Sequence, residues 1–111
     1  MDKVIALNSN KMGQGDEKLG TMLMRNLLAK LITAELKPRM MVLYNSGVKL
    51  AAKGSPVLES LHSLENLGVE IICCGTCINF YGLADQMDAG RVTNMQEIVR
   101  VLTEAQTTVT L

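Results

Sequence analysis

The chain has 111 residues, of which 48% are hydrophobic and 20% are charged, so we expect one folded domain, residues 1–111, around a single core. Eleven basic and eleven acidic residues cancel, so charge favours neither nucleic acid nor an anionic membrane as a partner. No apolar run is long enough to span a membrane, and the N-terminal apolar segment is too short for a signal peptide. The three cysteines lie within five residues and cannot link distant segments, which indicates a reducing, cytoplasmic location.

Strand and helix patterns alternate along the chain. A first strand over residues 3–7 and a polar, glycine-bearing loop over 8–15 precede a long helix, which Asp16 caps and which runs to about residue 35. The apolar stripe predicted for this helix consists of Leu19, Leu23, Leu27 and Leu31, with Met24, Leu28 and Ile32 beside it. A second strand covers residues 40–44 and ends in a turn over 45–47.

The second half of the chain repeats this alternation. Ser55 and Pro56 predict the start of a second helix, and Gly68 ends it. The cysteine-bearing strand follows from residue 69, and then a short helix or turn continues through Tyr81. A brief strand over 90–92 precedes a helix whose predicted capping box is Thr93 and Gln96, and residues 107–111 alternate like a final strand.

Strands separated by helices require crossover connections. The pattern therefore predicts an α/β fold, a three-layer α/β/α sandwich with a mainly parallel sheet of about five strands. The final strand leaves a sheet edge that could serve in self-association. In such a sheet four loops meet at one edge, and they contain Asn45, Lys49, the cysteines, Tyr81 and Asn94.

The cysteine segment Cys73-Cys74-Gly75-Thr76-Cys77 is the strongest chemical signal. Gly75 ends the strand, so Cys74 and Cys77 lie where a strand gives way to a loop or helix. A following helix N-terminus lowers the pKa of a thiol, which favours reactive sulfur. Strand alternation points Cys73 to the opposite face from Cys74, so we expect Cys73 to be buried.

Three other chemistries are weighed against sulfur chemistry. The glycines of residues 13–20 do not have the spacing of a nucleotide-binding loop, so a loop or lid over the cysteine edge is the better interpretation. Cys74 and Cys77 form a single metal-ligand pair, and the one histidine, His62, is interpreted as a surface residue; we expect no metal and no cofactor, although a zinc site shared between subunits stays open. A thioredoxin-like dithiol also stays open, but Pro38 and Pro56 both precede the cysteines, whereas that fold needs a proline after them.

Four segments together resemble the DsrE/DsrF-like family of small sulfurtransferase domains, and in particular the C-terminal domain of YedF-type, selenium-metabolism-associated proteins. They are Met12-Gly13-Gln14-Gly15-Asp16 with Leu19-Gly20, Asn45-Ser46-Gly47-Val48-Lys49-Leu50, residues 68–71 continuing through 74–83, and Gly90-Arg91-Val92-Thr93-Asn94-Met95. The resemblance implies an α/β/α fold, homo- or hetero-oligomers, and a persulfide carried on a cysteine. Full-length YedF-type proteins join this domain to a TusA-like domain, so sulfur-donor and sulfur-acceptor proteins, a TusA-like protein among them, are the implied partners.

The resemblance also bears on single residues. In sulfur-relay members the reactive cysteine precedes a glycine by eight residues, and Cys74 with Gly82 reproduces that spacing. Tyr81 stands where such members often have an arginine, so activation by that arginine is not implied here.

These observations predict a sulfurtransferase or sulfur-relay protein with Cys74 and Cys77 as catalytic residues. Cys74 is expected to accept sulfur first, because it lies at the rigid strand end, and Cys77 is expected to resolve or protect the persulfide. Lys49 is expected to favour the Cys74 thiolate by charge proximity, and Asn45, Asn94 and Tyr81 are expected to line the substrate or partner site. The alternative functions are a non-catalytic, oligomeric binding or assembly module and a Cys-x-x-Cys dithiol redox protein.

Overall fold

The computed structural model describes residues 2–111, which form a five-stranded, fully parallel sheet of order β4-β3-β2-β1-β5 flanked by helices. The strands are β1 (Lys3–Leu7), β2 (Met40–Leu43), β3 (Glu70–Cys74), β4 (Arg91–Thr93) and β5 (Thr107–Thr110). The helices are α1 (Glu17–Thr33), a 3-10 helix (Asn45–Ala51), α2 (Leu58–Asn66), α3 (Gly75–Phe80) and α4 (Met95–Glu104). The predicted α/β fold with a parallel sheet of about five strands is confirmed.

The order of the strands explains the layers. The chain steps from β1 to β4 in one direction, and α1 and α2 contact each other on one face of the sheet. The connection through α4 runs back across the sheet to β5, and right-handed crossovers place it on the opposite face. All four residues of the central strand β2 are buried, as covered parallel strands require, whereas the edge strand β5 is exposed throughout. No helix in residues 2–111 is long and apolar enough to cross a membrane.

Helix α1 starts as predicted but turns a different face to the core. Asp16 accepts a hydrogen bond from the N–H of Leu19 at 2.9 Å, which confirms the cap. The helix ends at Thr33, and its buried residues are Gly20, Met24 and Leu28, while Leu19 and Leu23 of the predicted stripe are exposed. The buried face includes Gly20 because loop 8–15 packs against it, and the Met12 N–H donates to the Gly20 carbonyl at 3.0 Å. A pattern based on apolar residues alone does not predict a buried glycine.

Two helix starts differ from the sequence-based predictions. Helix α2 begins at Leu58 rather than at Pro56, because the Ser55 hydroxyl accepts from the Val57 N–H at 3.2 Å and forms a turn ahead of the helix. Helix α4 is capped by Asn94, whose side chain accepts from the Glu97 N–H at 2.9 Å, and not by Thr93. Thr93 pairs with Cys74 in the sheet, so its backbone is committed to β4.

The 3-10 helix is held against the end of β1 by a close backbone approach. The Tyr44 N–H donates to the Leu7 carbonyl at 3.1 Å. A Cβ atom built on Gly47 would lie 2.2 Å from the same carbonyl oxygen, a separation that no side chain can adopt. Gly47 therefore allows the first turn of the 3-10 helix, which begins at Asn45, to lie directly on β1.

Replacing Gly47 with Ala is expected to lower the free energy of unfolding by about 1–3 kcal/mol or more, because the backbone must move to relieve the clash. Urea denaturation monitored by circular dichroism measures the change. Gly75→Ala is the matched control, since its Cβ would meet the Thr93 carbonyl oxygen at 3.0 Å and needs a smaller adjustment. Equal midpoints for wild type and Gly47→Ala would contradict the constraint.

The short edge strand β4 is tied to its neighbours by Arg91. Its guanidinium group donates to Glu70 of β3 at 2.9 Å and to Glu97 of α4 at 2.6 Å. Thr93 donates a further hydrogen bond to Glu97. The hydrogen bonds from Arg91, and then that from Thr93, lower the pKa of Glu97 to about 2.

This lowered pKa predicts an acid-sensitive component of stability. A carboxyl group whose pKa falls on folding stabilises the fold above its unfolded pKa of about 4.3, and that contribution is lost as the pH falls towards 2. We expect wild type to lose more stability between pH 5 and pH 2 than Glu97→Gln does, measured as urea midpoints across that range. Glu59→Gln, on the exposed side of α2, serves as the control. Parallel pH profiles for wild type and Glu97→Gln would rule the effect out.

Candidate functional site

The site begins where β3 passes into α3. Cys74 is the last residue of β3 and the N-cap of α3, and Cys77 is the third residue of that helix. Residues three apart at a helix start lie about one turn apart, so the N-cap and the third helical residue are on the same side of the helix. Cys74 contributes to the raised pKa of Cys77, which is consistent with two neighbouring thiols.

The three free cysteines differ sharply in exposure. Cys74 has 0% of its surface exposed and Cys73 has 1%. Cys77 is partly exposed and lines a cavity of about 290 Å³ together with Asn45, Thr76, Phe80 and Tyr81. Cys77 is therefore the one cysteine that a dissolved or protein-bound reactant meets.

Cys73 is buried in the core, as predicted. Its pKa is raised to about 12, mainly by burial and in addition by the negative charges of Glu65 and Cys74. A thiol with so high a pKa carries almost no thiolate near neutrality, so Cys73 is a packing residue.

Backbone and side-chain contacts from Asn45 and Tyr81 organise the sulfur of Cys77. The Asn45 N–H donates to the Cys77 Sγ at 3.0 Å. Asn45 adopts a left-handed backbone conformation, with φ of 51°, and the Tyr81 hydroxyl donates to its Oδ1 at 3.0 Å. Asparagine tolerates the left-handed conformation better than most residues do, and this conformation directs the Asn45 N–H towards the sulfur.

Lys49 lies near this group and contacts Tyr81. Its Nζ lies 4.3 Å from the centre of the Tyr81 ring, in a cation–π contact. Lys49 was expected to favour the Cys74 thiolate by charge proximity. That role stays a prediction, and in the structure the ammonium group contacts the Tyr81 ring and helps to hold it in place.

The electrostatic environment of Cys77 differs from the thiolate-favouring one expected for this strand end. Burial raises the pKa of Cys77, the neighbouring Cys74 raises it further, and the Asn45 N–H opposes both effects. Helix α3 has only six residues, so the dipole support expected from a helix start is small.

Asn94 has a structural role, and the cavity that it lines is not the one beside Cys77. Its side-chain oxygen caps α4, and it lines a different cavity with Gln96, Glu97 and Arg100. Asn45, Lys49 and Tyr81 are brought together beside Cys77, as the convergence of loops predicted.

Phe80 was missed by the sequence analysis. It is 82% exposed, it lines the Cys77 cavity, and its ring meets that of Tyr81 edge to face at 5.3 Å between centroids. The available signal was compositional: aromatic residues make up only 3% of the chain, and two of them, Phe80 and Tyr81, come within four residues after Cys77.

Gly82 has a local structural role. It has a φ of 66°, its N–H donates to the Asn79 carbonyl, and the Leu83 N–H donates to the Ile78 carbonyl. This pair of bonds is a Schellman motif, which ends α3 and needs a glycine at this position. The eight-residue spacing between Cys74 and Gly82 is therefore set by the length of α3, which lies between its N-cap and its terminating glycine.

Loop 8–15 lies next to the cysteine site, over the neighbouring strand ends. Together with Tyr44, Asn45 and Ser46 it lines a cavity of about 470 Å³, which shares Asn45 with the Cys77 cavity. In the described part of the chain no three His, Cys, Asp or Glu side chains are grouped closely enough to hold a metal ion. His62 is partly exposed and contacts Glu65 and Asp88.

Solved structures with the same fold support the architecture. The ychN protein from E. coli is 18% identical, with a TM-score of 0.74 and 100% of each chain covered. The protein of unknown function MTH1491 from Methanobacterium thermoautotrophicum is 20% identical, with a TM-score of 0.71, covering 99% of this chain and 98% of that one. BT1422 from Bacteroides thetaiotaomicron, also of unknown function, is 16% identical, with a TM-score of 0.66 and coverages of 98% and 94%. At these identities the likeness shows the fold alone.

The sequence comparison with families is more specific. No curated protein matches the chain. The sequence model of the DsrE/DsrF-like family matches residues 2–111, nearly the entire length. With its parallel sheet and its cysteines at the end of β3, the chain belongs to the DsrE/DsrF-like family, whose members are proteins of the sulfur-relay type.

Proposed function

We propose that this protein is a sulfur-relay sulfurtransferase that carries sulfane sulfur as a persulfide on Cys77. The observation that carries the proposal is the environment of one sulfur atom. The Cys77 Sγ borders an open cavity and receives the Asn45 N–H at 3.0 Å, whereas the two other cysteines are buried. Family membership supports sulfur as the cargo.

This proposal reverses the order of the two cysteines that was expected from the sequence. A donor must bring its sulfane sulfur to bonding distance of the acceptor sulfur, and Cys74 has no exposed surface to approach. The Cys77 thiolate attacks the outer sulfur of a donor persulfide, a new S–S bond forms, and the donor leaves as a thiolate. Onward transfer is the same displacement, with an acceptor thiolate attacking the outer sulfur on Cys77.

The surrounding side chains suit a persulfide. Phe80, Tyr81 and Thr76 line the cavity that the added sulfur would enter, and the aromatic rings suit a weakly hydrated, polarisable atom. The Asn45 N–H would stabilise negative charge on the sulfur pair, and Tyr81 is a positioning residue that holds Asn45. Lys49 contributes indirectly, because its ammonium group contacts the Tyr81 ring and helps to hold it.

The partners proposed for the relay are proteins that present a persulfide or a thiol, a TusA-like protein among them. The resemblance to YedF-type proteins extends the proposed cargo to selenium. We place the relay in the reducing cytoplasm, where thiols such as Cys77 stay reduced.

A binding or assembly module is the second candidate, and one surface favours it. Helix α1 exposes Leu19, Met22 and Leu23, with 52%, 57% and 39% of their surfaces accessible, and the edge strand β5 is exposed throughout. Adjacent apolar side chains on a helix and an unpaired strand edge are both suited to self-association, so the proposed relay protein would act as a homo-oligomer.

Sulfur loading tests the proposed function. Anaerobic incubation of the reduced protein with inorganic polysulfide, followed by intact mass measurement, is expected to add one sulfur atom at Cys77. Cys77→Ser should not load, whereas Cys74→Ser and the buried control Cys73→Ser should. Loading that survives in Cys77→Ser and disappears in Cys74→Ser would restore the order expected from the sequence, and absence of loading in the wild type and in every variant would favour the binding module.

The pH dependence of Cys77 alkylation tests whether Tyr81 positions Asn45. Because burial raises its pKa, Cys77 is expected to be alkylated by iodoacetamide with a midpoint above the ordinary thiol value of about 8.5. Tyr81→Phe keeps the ring under Lys49 but removes the hydroxyl that holds Asn45, so the thiolate loses part of a hydrogen bond. The pKa should rise further, and the rate near pH 7 should fall by up to roughly tenfold.

Tyr44→Phe, which changes a hydroxyl in the neighbouring cavity, is the control for the Tyr81 measurement. An alkylation profile that is the same in wild type and Tyr81→Phe would remove Tyr81 from the positioning role. A wild-type midpoint well below the ordinary value would contradict the raised pKa.

A further inference from the structure

We propose that the Cys74–Cys77 pair also discharges the carried sulfur as hydrogen sulfide, closing an internal disulfide when no acceptor thiol is present. The proposal rests on the persulfide at Cys77 and adds a second activity to the relay, the reductive release of sulfide. Three structural features carry it: the positions of the two thiols, the complete burial of one of them, and the open cavity beside the other.

The two residues are placed for a disulfide. Cys74 is the N-cap of α3 and Cys77 the third residue of the helix, a separation of one helical turn. Cα atoms three residues apart in a turn are less than about 7 Å apart, and disulfides bridge Cα separations of about 4.4–6.8 Å. Cys74 also raises the pKa of Cys77, as expected of two thiols held close together.

Burial makes Cys74 selective. With 0% of its surface exposed, it is out of reach of a donor, an alkylating agent or a partner protein. The neighbouring Cys77 sulfur is the exception, because α3 brings it to the buried thiol. The persulfide carried by Cys77 is therefore the electrophile that the Cys74 thiol can reach.

The discharge step is a single displacement. The Cys74 sulfur attacks the Cys77 Sγ, an S–S bond forms between the two cysteines, and the bond from Cys77 to the outer sulfur breaks. The outer sulfur leaves with the bonding electron pair as hydrosulfide, and the proton of the Cys74 thiol accounts for hydrogen sulfide. The two cysteines are thereby oxidised and the sulfane sulfur is reduced, and a dithiol reductant restores both thiols by disulfide exchange.

The two fates of the sulfur depend on which bond is attacked. An acceptor thiol reaching through the cavity attacks the outer sulfur and takes it away, which is relay. Cys74 attacks the inner sulfur from the buried side, which is discharge. The cavity beside Cys77 serves both outcomes, because it admits the acceptor and lets hydrosulfide leave.

The test follows persulfide, sulfide and disulfide in the same sample. Each reduced variant is loaded anaerobically with inorganic polysulfide and desalted. Hydrogen sulfide is then trapped with monobromobimane, and the protein is alkylated for mass measurement. Wild type is expected to yield one sulfide for each Cys74–Cys77 disulfide, and a dithiol such as dithiothreitol should restore loading.

In Cys74→Ser the persulfide on Cys77 is expected to persist roughly tenfold longer than in wild type, because the intramolecular attack is absent. Cys73→Ser, which changes the other buried cysteine, should discharge like wild type. Cys74→Ala is the second variant, and circular dichroism checks the fold of both changes at residue 74.

The outcomes separate the two proposals. Loading of Cys74→Ser together with a wild-type persulfide that lasts equally long and forms no disulfide overturns discharge and leaves the relay standing. Failure of Cys74→Ser and Cys74→Ala to load, while folded, overturns the proposed persulfide on Cys77 and the discharge step together.

Discussion

The parallel register between β2 and β3 is the constraint on which the site depends. Leu43 pairs with Cys73, so the two strands end at the same level, and the residues that follow them leave the sheet side by side. Asn45 and Cys77, 32 residues apart in the chain, are joined there by a hydrogen bond. The glycine at residue 47 completes the arrangement, because it lets the 3-10 helix lie on the end of β1 and so holds Asn45 over α3.

The chemistry at this strand end is governed by burial more than by charge. Cys77 has a raised pKa, and the nearby cation of Lys49 is directed to an aromatic ring. A thiol with a raised pKa has a low background reactivity towards electrophiles near neutrality, since the thiolate is the reactive form.

Family membership and the solved structures account for the scaffold, and the side chains at the end of β3 account for the chemistry proposed here. At about one-fifth identity the shared features are the sheet and its crossovers. The dithiol, the Asn45 N–H and the tyrosine that holds it must be argued from this chain. Gly82 illustrates the difference, because its place in the Schellman motif after α3 explains its distance from Cys74 without a catalytic role.

The sequence by itself determined the alternation of strands and helices, the parallel sheet, the cap at Asp16, the burial of Cys73 and the position of the cysteines at a strand end. These features depend on local periodicity and turn chemistry, which act over a few residues. Only the tertiary structure decided that Cys74 is sealed while Cys77 meets a cavity, that Asn94 is used as a helix cap, and that α1 buries Gly20. The exposure and the pKa of a residue depend on which distant segments pack over it. Strand register sets that packing, as the contact of Asn45 with Cys77 shows.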